Sequence, residues 1–241
     1  MATPRPWTVL EHGPLEKLTE NVWTVDGALP NMALRRRMTL VRLRDGSVLV
    51  HNAVALSEGL MADIERWGEP AHLVVPNAFH RMDAHAWKSR YPKSRVWCPA
   101  SARAKVDERV TSDGGYEFMP ARDELSVEYL EGSRAAATEG VFTVRAADGR
   151  EVLIFNDALF NHPHATGFGG VMLRVMGSSG GPRVTPLFRA VGVADRARFA
   201  AHLRHLGTRP TLSHLVPGHG MPVDLDAGGV LRDVADRLSP P

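Results

Sequence analysis

Residues 71–83 read AHLVVPNAFHRMD, and this stretch decides the fold. Its apolar first part, residues 71–75, predicts a short buried strand. The strand runs directly into a polar turn that carries His80 and Asp83. Functional side chains often follow strands in this way, because the strand fixes the side chain while the loop leaves it accessible. The stretch therefore predicts a functional site at the end of a strand.

Two later strands deliver polar residues in the same manner. A hairpin predicted over residues 141–155, with Asp148-Gly149 as its turn, ends at Asn156-Asp157. A strand predicted over residues 211–216 leads into Pro217-Gly218-His219-Gly220. We therefore expect His80, Asp157 and His219 to converge in one cleft, whether or not a metal ion is bound.

The rest of the chain predicts a sandwich of two sheets. A first hairpin over residues 38–51 turns at Asp45-Gly46, so each half of the chain starts with an Asp-Gly hairpin. Sequence patterns predict helices over residues 57–67, 102–110, 194–206 and 227–238. A further helix is predicted to follow His85 and to stop before Pro92. We expect two similar halves with their helices outside. Arg35-Arg36-Arg37 is predicted to lie in a solvated loop, and Phe79, Trp67 and Trp87 are expected in the core.

Composition limits the classes of function. The 241 residues contain no long Gly/Ser or Pro linker, so one domain over residues 1–241 is predicted. A net charge of +2 without a basic stripe argues against a nucleic-acid partner. The single cysteine, Cys98, excludes an intramolecular disulfide and a cysteine-rich zinc site. No apolar run approaches the roughly 18 residues of a membrane span, and no signal peptide is visible, so we expect a cytoplasmic protein without a membrane partner.

The strand-end motifs resemble those of the metallo-β-lactamase superfamily over nearly the whole chain. The first motif of that family is His-x-His-x-Asp-His, and here only His80 keeps its identity, while Asp83 falls where the last histidine is expected. The family's Gly-Asp is matched by Asn156-Asp157, and its closing Gly-His by Gly218-His219. The resemblance implies an α/β (α+β) fold, the metallo-β-lactamase-like αβ/βα four-layer sandwich.

The resemblance also implies a reduced metal site. The intermediate histidine motif has its best counterpart in Leu130-Glu131-Gly132-Ser133, where serine replaces the ligand. One divalent metal is expected, with zinc favoured, iron or manganese left open, and the absence of any metal also left open. The candidate ligands are His80, Asp83, Asp157 and His219. Asp83 and His85 are the candidate catalytic residues for proton transfer, and His85, His162 and His164 are the candidate replacement ligands.

Two functions follow from this set of residues. The first is a metal-dependent hydrolase acting on a small-molecule ester, lactone, thioester, amide or phosphoester. The second is a non-catalytic protein that keeps the scaffold for binding or structure and has lost its metal, as the missing ligands suggest. Each histidine or aspartate can also be an ordinary hydrogen-bonded side chain, and the number of subunits is left open.

Overall fold

The first sheet contains six strands in chain order. A computed structural model describes residues 6–240. The strands of this sheet are β1 (Glu16–Lys17), β2 (Val22–Leu29), β3 (Met32–Arg42), β4 (Ser47–His51), β5 (Glu69–Val74) and β6 (Arg95–Trp97). Strands β1 to β4 pair antiparallel, whereas β4, β5 and β6 pair parallel. The carboxyl ends of β4 and β5 therefore lie at the same edge.

The second sheet has four strands in the order β11-β9-β8-β7. Its strands are β7 (Leu125–Tyr129), β8 (Gly140–Arg145), β9 (Glu151–Ile154) and β11 (Leu212–Val216). Strand β11 pairs parallel with β9. A separate short parallel pair joins β10 (Phe160–Asn161) to β12 (His219–Gly220).

Seven α-helices accompany the strands in residues 6–240. They are α1 (Glu58–Trp67), α2 (Ala84–Arg90), α3 (Arg103–Asp107), α4 (Gly167–Val175), α5 (Pro186–Val191), α6 (Arg196–Gly207) and α7 (Ala227–Leu238). Within the same residues, none of these helices is both long and apolar enough to cross a membrane. The five helices predicted from the sequence correspond to α1, α2, α3, α6 and α7, while α4 and α5 were not predicted.

Both Asp-Gly hairpins form where the sequence predicts them. Gly46 and Gly149 have φ angles of 85° and 84°, which glycine adopts without steric cost. The carboxylate before each glycine accepts a main-chain hydrogen bond two residues on, from Ser47 N to Asp45 and from Arg150 N to Asp148. These local bonds stabilise each turn and fix the register of its two strands.

Three apolar layers hold the molecule together. One lies between the two sheets and includes Val41 and Leu49 from the first sheet and Phe142 and Ile154 from the second. A second layer packs α1, α2 and α3 on the outer face of the first sheet, and a third packs α5, α6 and α7 on the second sheet. The result is the helix–sheet–sheet–helix order predicted from the sequence, built from two halves that each contain an Asp-Gly hairpin.

The structure corrects the prediction for Arg35-Arg36-Arg37. These residues are not in a solvated loop but in β3, which extends further toward its amino end than the predicted strand. Arg36 and Arg37 are buried, with relative exposures of 3% and 4%. Buried guanidinium groups need partners, and Arg36 forms an ion pair with Asp83 while Arg37 bonds to Glu16.

One aromatic residue was also misplaced by the prediction. Trp87 is fully buried, and Trp67 stacks on Trp23 with ring centroids 3.9 Å apart, as core residues should. Phe79, in contrast, is 85% exposed, because it lies in the polar turn after β5. Its position in this polar turn keeps its ring at the surface.

His51 is buried between the sheets and makes stability sensitive to acid. It ends β4 against the ring of Phe142, with only 1% exposure, and its Nε2 has no hydrogen-bond partner among the described residues. Burial lowers the pKa of His51 to about 3, and the nearby His80 adds to this effect. The folded protein therefore keeps His51 neutral at a pH where the unfolded chain protonates it.

We expect His51→Leu to weaken this acid sensitivity. Below about pH 6.5 His51 is protonated in the unfolded state but stays neutral in the folded state. The free energy of unfolding therefore falls by about 1.4 kcal/mol for each unit by which the pH is lowered, until the pH nears the folded-state pKa. Urea unfolding at pH 7, 6 and 5 with chelator present would measure the slope. His205→Leu, at an exposed position on α6, is the matched control. Equal slopes in wild type and His51→Leu would contradict the assignment.

Candidate metal centre

His80, Asp157 and His219 converge on one point, as their positions after three strands predict. His80 lies in the turn after β5, Asp157 follows β9, and His219 forms β12 just after β11. His80 Nε2 is 3.0 Å from Asp157 Oδ1 and 3.3 Å from His219 Nε2. The third side, from His219 Nε2 to Asp157 Oδ1, measures 3.2 Å. We call these residues the His-Asp-His group.

The spacing of the three atoms suits a tetrahedral metal ion. Nitrogen and oxygen ligands lie about 2.0–2.1 Å from zinc, so two corners of a tetrahedron are about 3.3–3.4 Å apart. The three measured separations lie within a few tenths of an ångström of that edge. Among the residues that the structure describes, this is the group of histidine, cysteine and acidic side chains with the spacing of a metal site. One ion would therefore have three ligands and one open position.

His219 is placed by backbone contacts from β3. Arg37 N donates to Gly218 O at 2.7 Å, and Arg37 Nε donates to Gly220 O at 2.6 Å. Gly220 has a φ of 96°, and a Cβ there would lie 2.1 Å from Asn161 O, so only glycine fits. His219 Nδ1 lies 2.7 Å from Arg35 O. Because a carbonyl only accepts, Nδ1 carries the proton and Nε2 presents its lone pair to the group.

His80 is fixed in the same tautomer by Asn52. The Nδ2 of Asn52 donates to Arg37 O at 2.9 Å, so the amide oxygen must point the other way. That oxygen lies 3.0 Å from His80 Nδ1 and accepts its proton. Asn52 itself has a φ of 59°, a left-handed conformation that asparagine tolerates better than most residues. His80 Nε2 therefore also presents a lone pair.

Asp157 is oriented by Asn77 and by a buried glutamate. Asn77 Nδ2 donates to Asp157 Oδ2 at 2.6 Å, and its own Oδ1 accepts from the main-chain N of Phe79 and of His80. Beneath the loop, the Glu139 carboxylate accepts three main-chain hydrogen bonds of 2.9 Å, from residues 156, 157 and 158. Oδ1 of Asp157 is thus left facing the two imidazoles.

The two carboxyl groups have opposite pKa shifts. Burial raises the pKa of Glu139 to about 8, and the negative charge of Asp157 acts in the same direction, against the three main-chain donors. Burial also raises the pKa of Asp157, but the charges and hydrogen bonds of His80 and His219 outweigh it, so that pKa lies well below its usual range. Asp157 is therefore the ionised carboxylate of the pair.

The arrangement leaves three electron pairs directed at one another. In its neutral form each imidazole has its proton on the outer nitrogen, bound to Asn52 Oδ1 or Arg35 O, and Asp157 is an anion. Three acceptors about 3 Å apart repel unless a cation or added protons lie between them. Outer partners that fix the tautomer of a ligating histidine are typical of metal sites. The donor set thus fits a divalent ion.

The other two proposed site residues lie outside the group. The Asp83 carboxylate is buried in an ion pair with Arg36 and also accepts from Ala55 N at 2.9 Å. Its position at the start of α2 turns it toward β3, so it is not brought to the His-Asp-His group. His85 lies on α2 with Nδ1 3.5 Å from Ser89 Oγ, and it too is outside the group.

The candidate replacement ligands are also bound elsewhere. His162 Nδ1 is 2.8 Å from Pro163 O, and His164 Nδ1 is 3.0 Å from Ser179 Oγ. Asn52, Asn77 and Glu139 were missed by the sequence reasoning. For the two asparagines a signal existed, because each follows closely after a strand of the first sheet. For Glu139, directly before β8, no such signal was present.

Comparison with known structures supports the fold. The DIM-1 metallo-β-lactamase exposed to ceftazidime has a TM-score of 0.62 and 14% identity, covering 96% of this chain and all of its own. The TMB-1 structure has a TM-score of 0.63 and 14% identity, and the match covers 96% of this chain and 99% of TMB-1. A metallo-β-lactamase from Pontibacter korlensis has a TM-score of 0.60 and 12% identity, and the match covers 92% of this chain and 98% of that protein. No protein-family model and no curated protein matches the sequence. The chain has the metallo-β-lactamase fold.

Proposed function

We propose that the protein is a metal-dependent hydrolase with a single divalent ion held by His80, Asp157 and His219. The observation that carries the proposal is the convergence of two imidazole lone pairs and one carboxylate, each oriented from behind. Two histidines and one carboxylate are also the protein ligands of well-known zinc hydrolases. Zinc is therefore the first choice, while iron and manganese accept the same donors.

The chain's own residues provide position and access. Both imidazoles are nearly buried, with side-chain exposures of 9% and 4%, whereas Asp157 keeps 21%. The side of Asp157 is therefore the more accessible side of the site. When bound, a divalent ion supplies Lewis acidity, which lowers the pKa of a water molecule and polarises a carbonyl or phosphoryl oxygen. Asn52, Asn77 and the carbonyl of Arg35 hold the ligands in place for it.

The proposed substrates are small esters, lactones, thioesters, amides or phosphoesters. All of these contain an oxygen that Lewis acidity activates, so the donor set does not select among them. The solved structures with this fold include β-lactamases, which shows that the scaffold supports hydrolysis in those proteins. A direct comparison of the five substrate classes is therefore required.

Metal content and hydrolysis test the proposal together. Protein purified without chelator and supplied with zinc, iron or manganese should contain one ion per chain. It should hydrolyse at least one of the five classes, lose that activity with chelator, and regain it with the ion. No bound metal in any preparation would favour the non-catalytic alternative. Two ions per chain would mean that further residues act as ligands.

We expect Asn52→Ala to lower metal affinity by about 10- to 100-fold. Without the Asn52 oxygen, His80 can hold its proton on either nitrogen, and the tautomer with a free Nε2 is no longer enforced. Competition with a chromogenic chelator would measure the change. Asn21→Ala, an asparagine that bonds to the Arg145 carbonyl far from the group, is the matched control. Equal affinity in Asn52→Ala and wild type would contradict this role.

A further inference from the structure

Helix α4 has apolar residues on two opposite faces. Gly170 and Leu173 are buried and face the protein, and Gly169 lies against Ala33 of β3. The opposite face carries five exposed side chains: Phe168, Val171, Met172, Val175 and Met176. Their spacing of three and four residues places them on one side of the helix. A helix that is apolar all round is normally covered, so this outer face indicates a binding surface.

The neighbouring helix α5 also exposes apolar side chains. Leu187 and Val191 are 59% and 54% exposed and lie four residues apart. The connection is short, because the ring of Pro186 at the start of α5 lies within contact distance of Gly177 just after α4. We call the exposed apolar residues of α4 and α5 the α4–α5 face.

Several arginines lie on or close to these two helices. Residues 158–194 contain Arg174, Arg183 and Arg189 but no aspartate or glutamate. Arg183 and Arg189 line a cleft of about 310 Å³ together with Arg237 of α7. Arg183 and Arg237 bond to main-chain carbonyls, and within residues 6–240 none of the four arginines has an ion pair with a carboxylate. The region is therefore both apolar and positively charged.

We propose that the α4–α5 face and its arginine-lined cleft bind the surface of an anionic phospholipid membrane. The arginines match the phosphate groups of the lipid, and the apolar side chains match the region of the acyl chains. Phe168 and Val175 are 83% and 78% exposed, so they project from the surface instead of lining a groove. Projecting side chains suit insertion into a fluid layer better than binding of a peptide.

A second copy of the chain fits this surface less well. A twofold interface brings the same patch of both copies together. Arg174 and Arg189 would then meet arginines of the partner, with no acidic residue in residues 158–194 to compensate. An anionic occupant is therefore preferred over another copy. The inference concerns binding at a membrane surface, not a membrane-spanning segment, and it is independent of the proposed hydrolysis.

Vesicle sedimentation tests the proposal. Wild type should bind vesicles of phosphatidylcholine mixed with phosphatidylglycerol, bind pure phosphatidylcholine vesicles much more weakly, and lose binding as salt is raised. Phe168→Ser/Val175→Ser and Arg174→Glu/Arg189→Glu should each bind the anionic vesicles at least about tenfold more weakly. The matched controls, Phe118→Ser and Lys93→Glu/Arg95→Glu, change exposed residues of the other half and should bind as wild type does.

Thermal melting should show that these surface variants remain folded. As a second measurement, Phe168→Trp keeps an apolar ring, and its added fluorescence should shift to shorter wavelength with anionic vesicles. Wild type that does not distinguish the two kinds of vesicle would overturn the proposal. So would a wild-type dimer that Phe168→Ser/Val175→Ser converts to monomer, or binding to an acidic peptide without binding to vesicles.

Discussion

His219→Ala is expected to lower the affinity for a divalent metal ion by about 100- to 1,000-fold. Structural zinc sites with four ligands bind with about 10–16 kcal/mol, so one ligand contributes about 2.5–4 kcal/mol. His219 contributes one of only three protein donors in the group. Metal content after dialysis, and affinity by competition with a chelator, would measure the loss.

The fold should survive this substitution. The His219 ring packs against the Phe160 ring with centroids 4.5 Å apart and is 3% exposed, so its removal should cost about 1–3 kcal/mol of unfolding free energy. The three apolar layers do not depend on the metal. His162→Ala, a buried histidine outside the group, should keep both affinity and stoichiometry. Unchanged occupancy in His219→Ala would show that this residue only shapes its turn.

Asp83→Ala should instead lower the free energy of unfolding by about 3–5 kcal/mol and leave the metal affinity unchanged. The Asp83 carboxylate is 1% exposed and pairs with the Arg36 guanidinium, which is 3% exposed. The substitution takes away the carboxylate with which the buried Arg36 guanidinium is paired, and breaking a buried ion pair in this way is strongly destabilising. The substitution also removes the acceptor of Ala55 N. Chemical unfolding in the presence of chelator would measure the first effect, and metal titration of the folded variant the second.

A double substitution separates the ion pair from other causes. Asp83→Leu/Arg36→Met replaces both charges by apolar side chains and should recover most of the stability lost in Asp83→Ala. Asp63→Ala is the matched control, since that aspartate pairs with Arg66 at the surface and should change stability by less than about 1 kcal/mol. A strong loss of metal binding in folded Asp83→Ala would contradict this prediction and show that Asp83 is a metal ligand.

The sequence predicted those features that depend on local physics. The Asp-Gly turns need a positive φ at glycine and a short-range carboxylate bond, and both are visible in four residues. The convergence of His80, Asp157 and His219 followed from placing each after a strand. The ends of α7 were also predictable, since an amphipathic pattern of this length is hard to mistake.

The features that the sequence does not reveal depend on partners far away in the chain. Asp83 looked like a ligand because its neighbours in the sequence do not include Arg36, which is 47 residues away. The arginines of β3 looked solvated because three adjacent charges usually are, and only the assembled sheet reveals what they bind. Glu139 was missed for a similar reason, because the main-chain groups that it binds lie 17 to 19 residues further along the chain.

The wide separation of the proposed metal ligands has a consequence for the order of folding. His80 is 77 residues from Asp157 and 139 residues from His219, and the three come from both sheets. Such distant contacts close late, after much of the loop-closure entropy has been lost. An ion therefore finds its site only in a chain that is already nearly native. It should leave the folding rate almost unchanged and slow unfolding, so that the metal prolongs the lifetime of the native protein without guiding its formation.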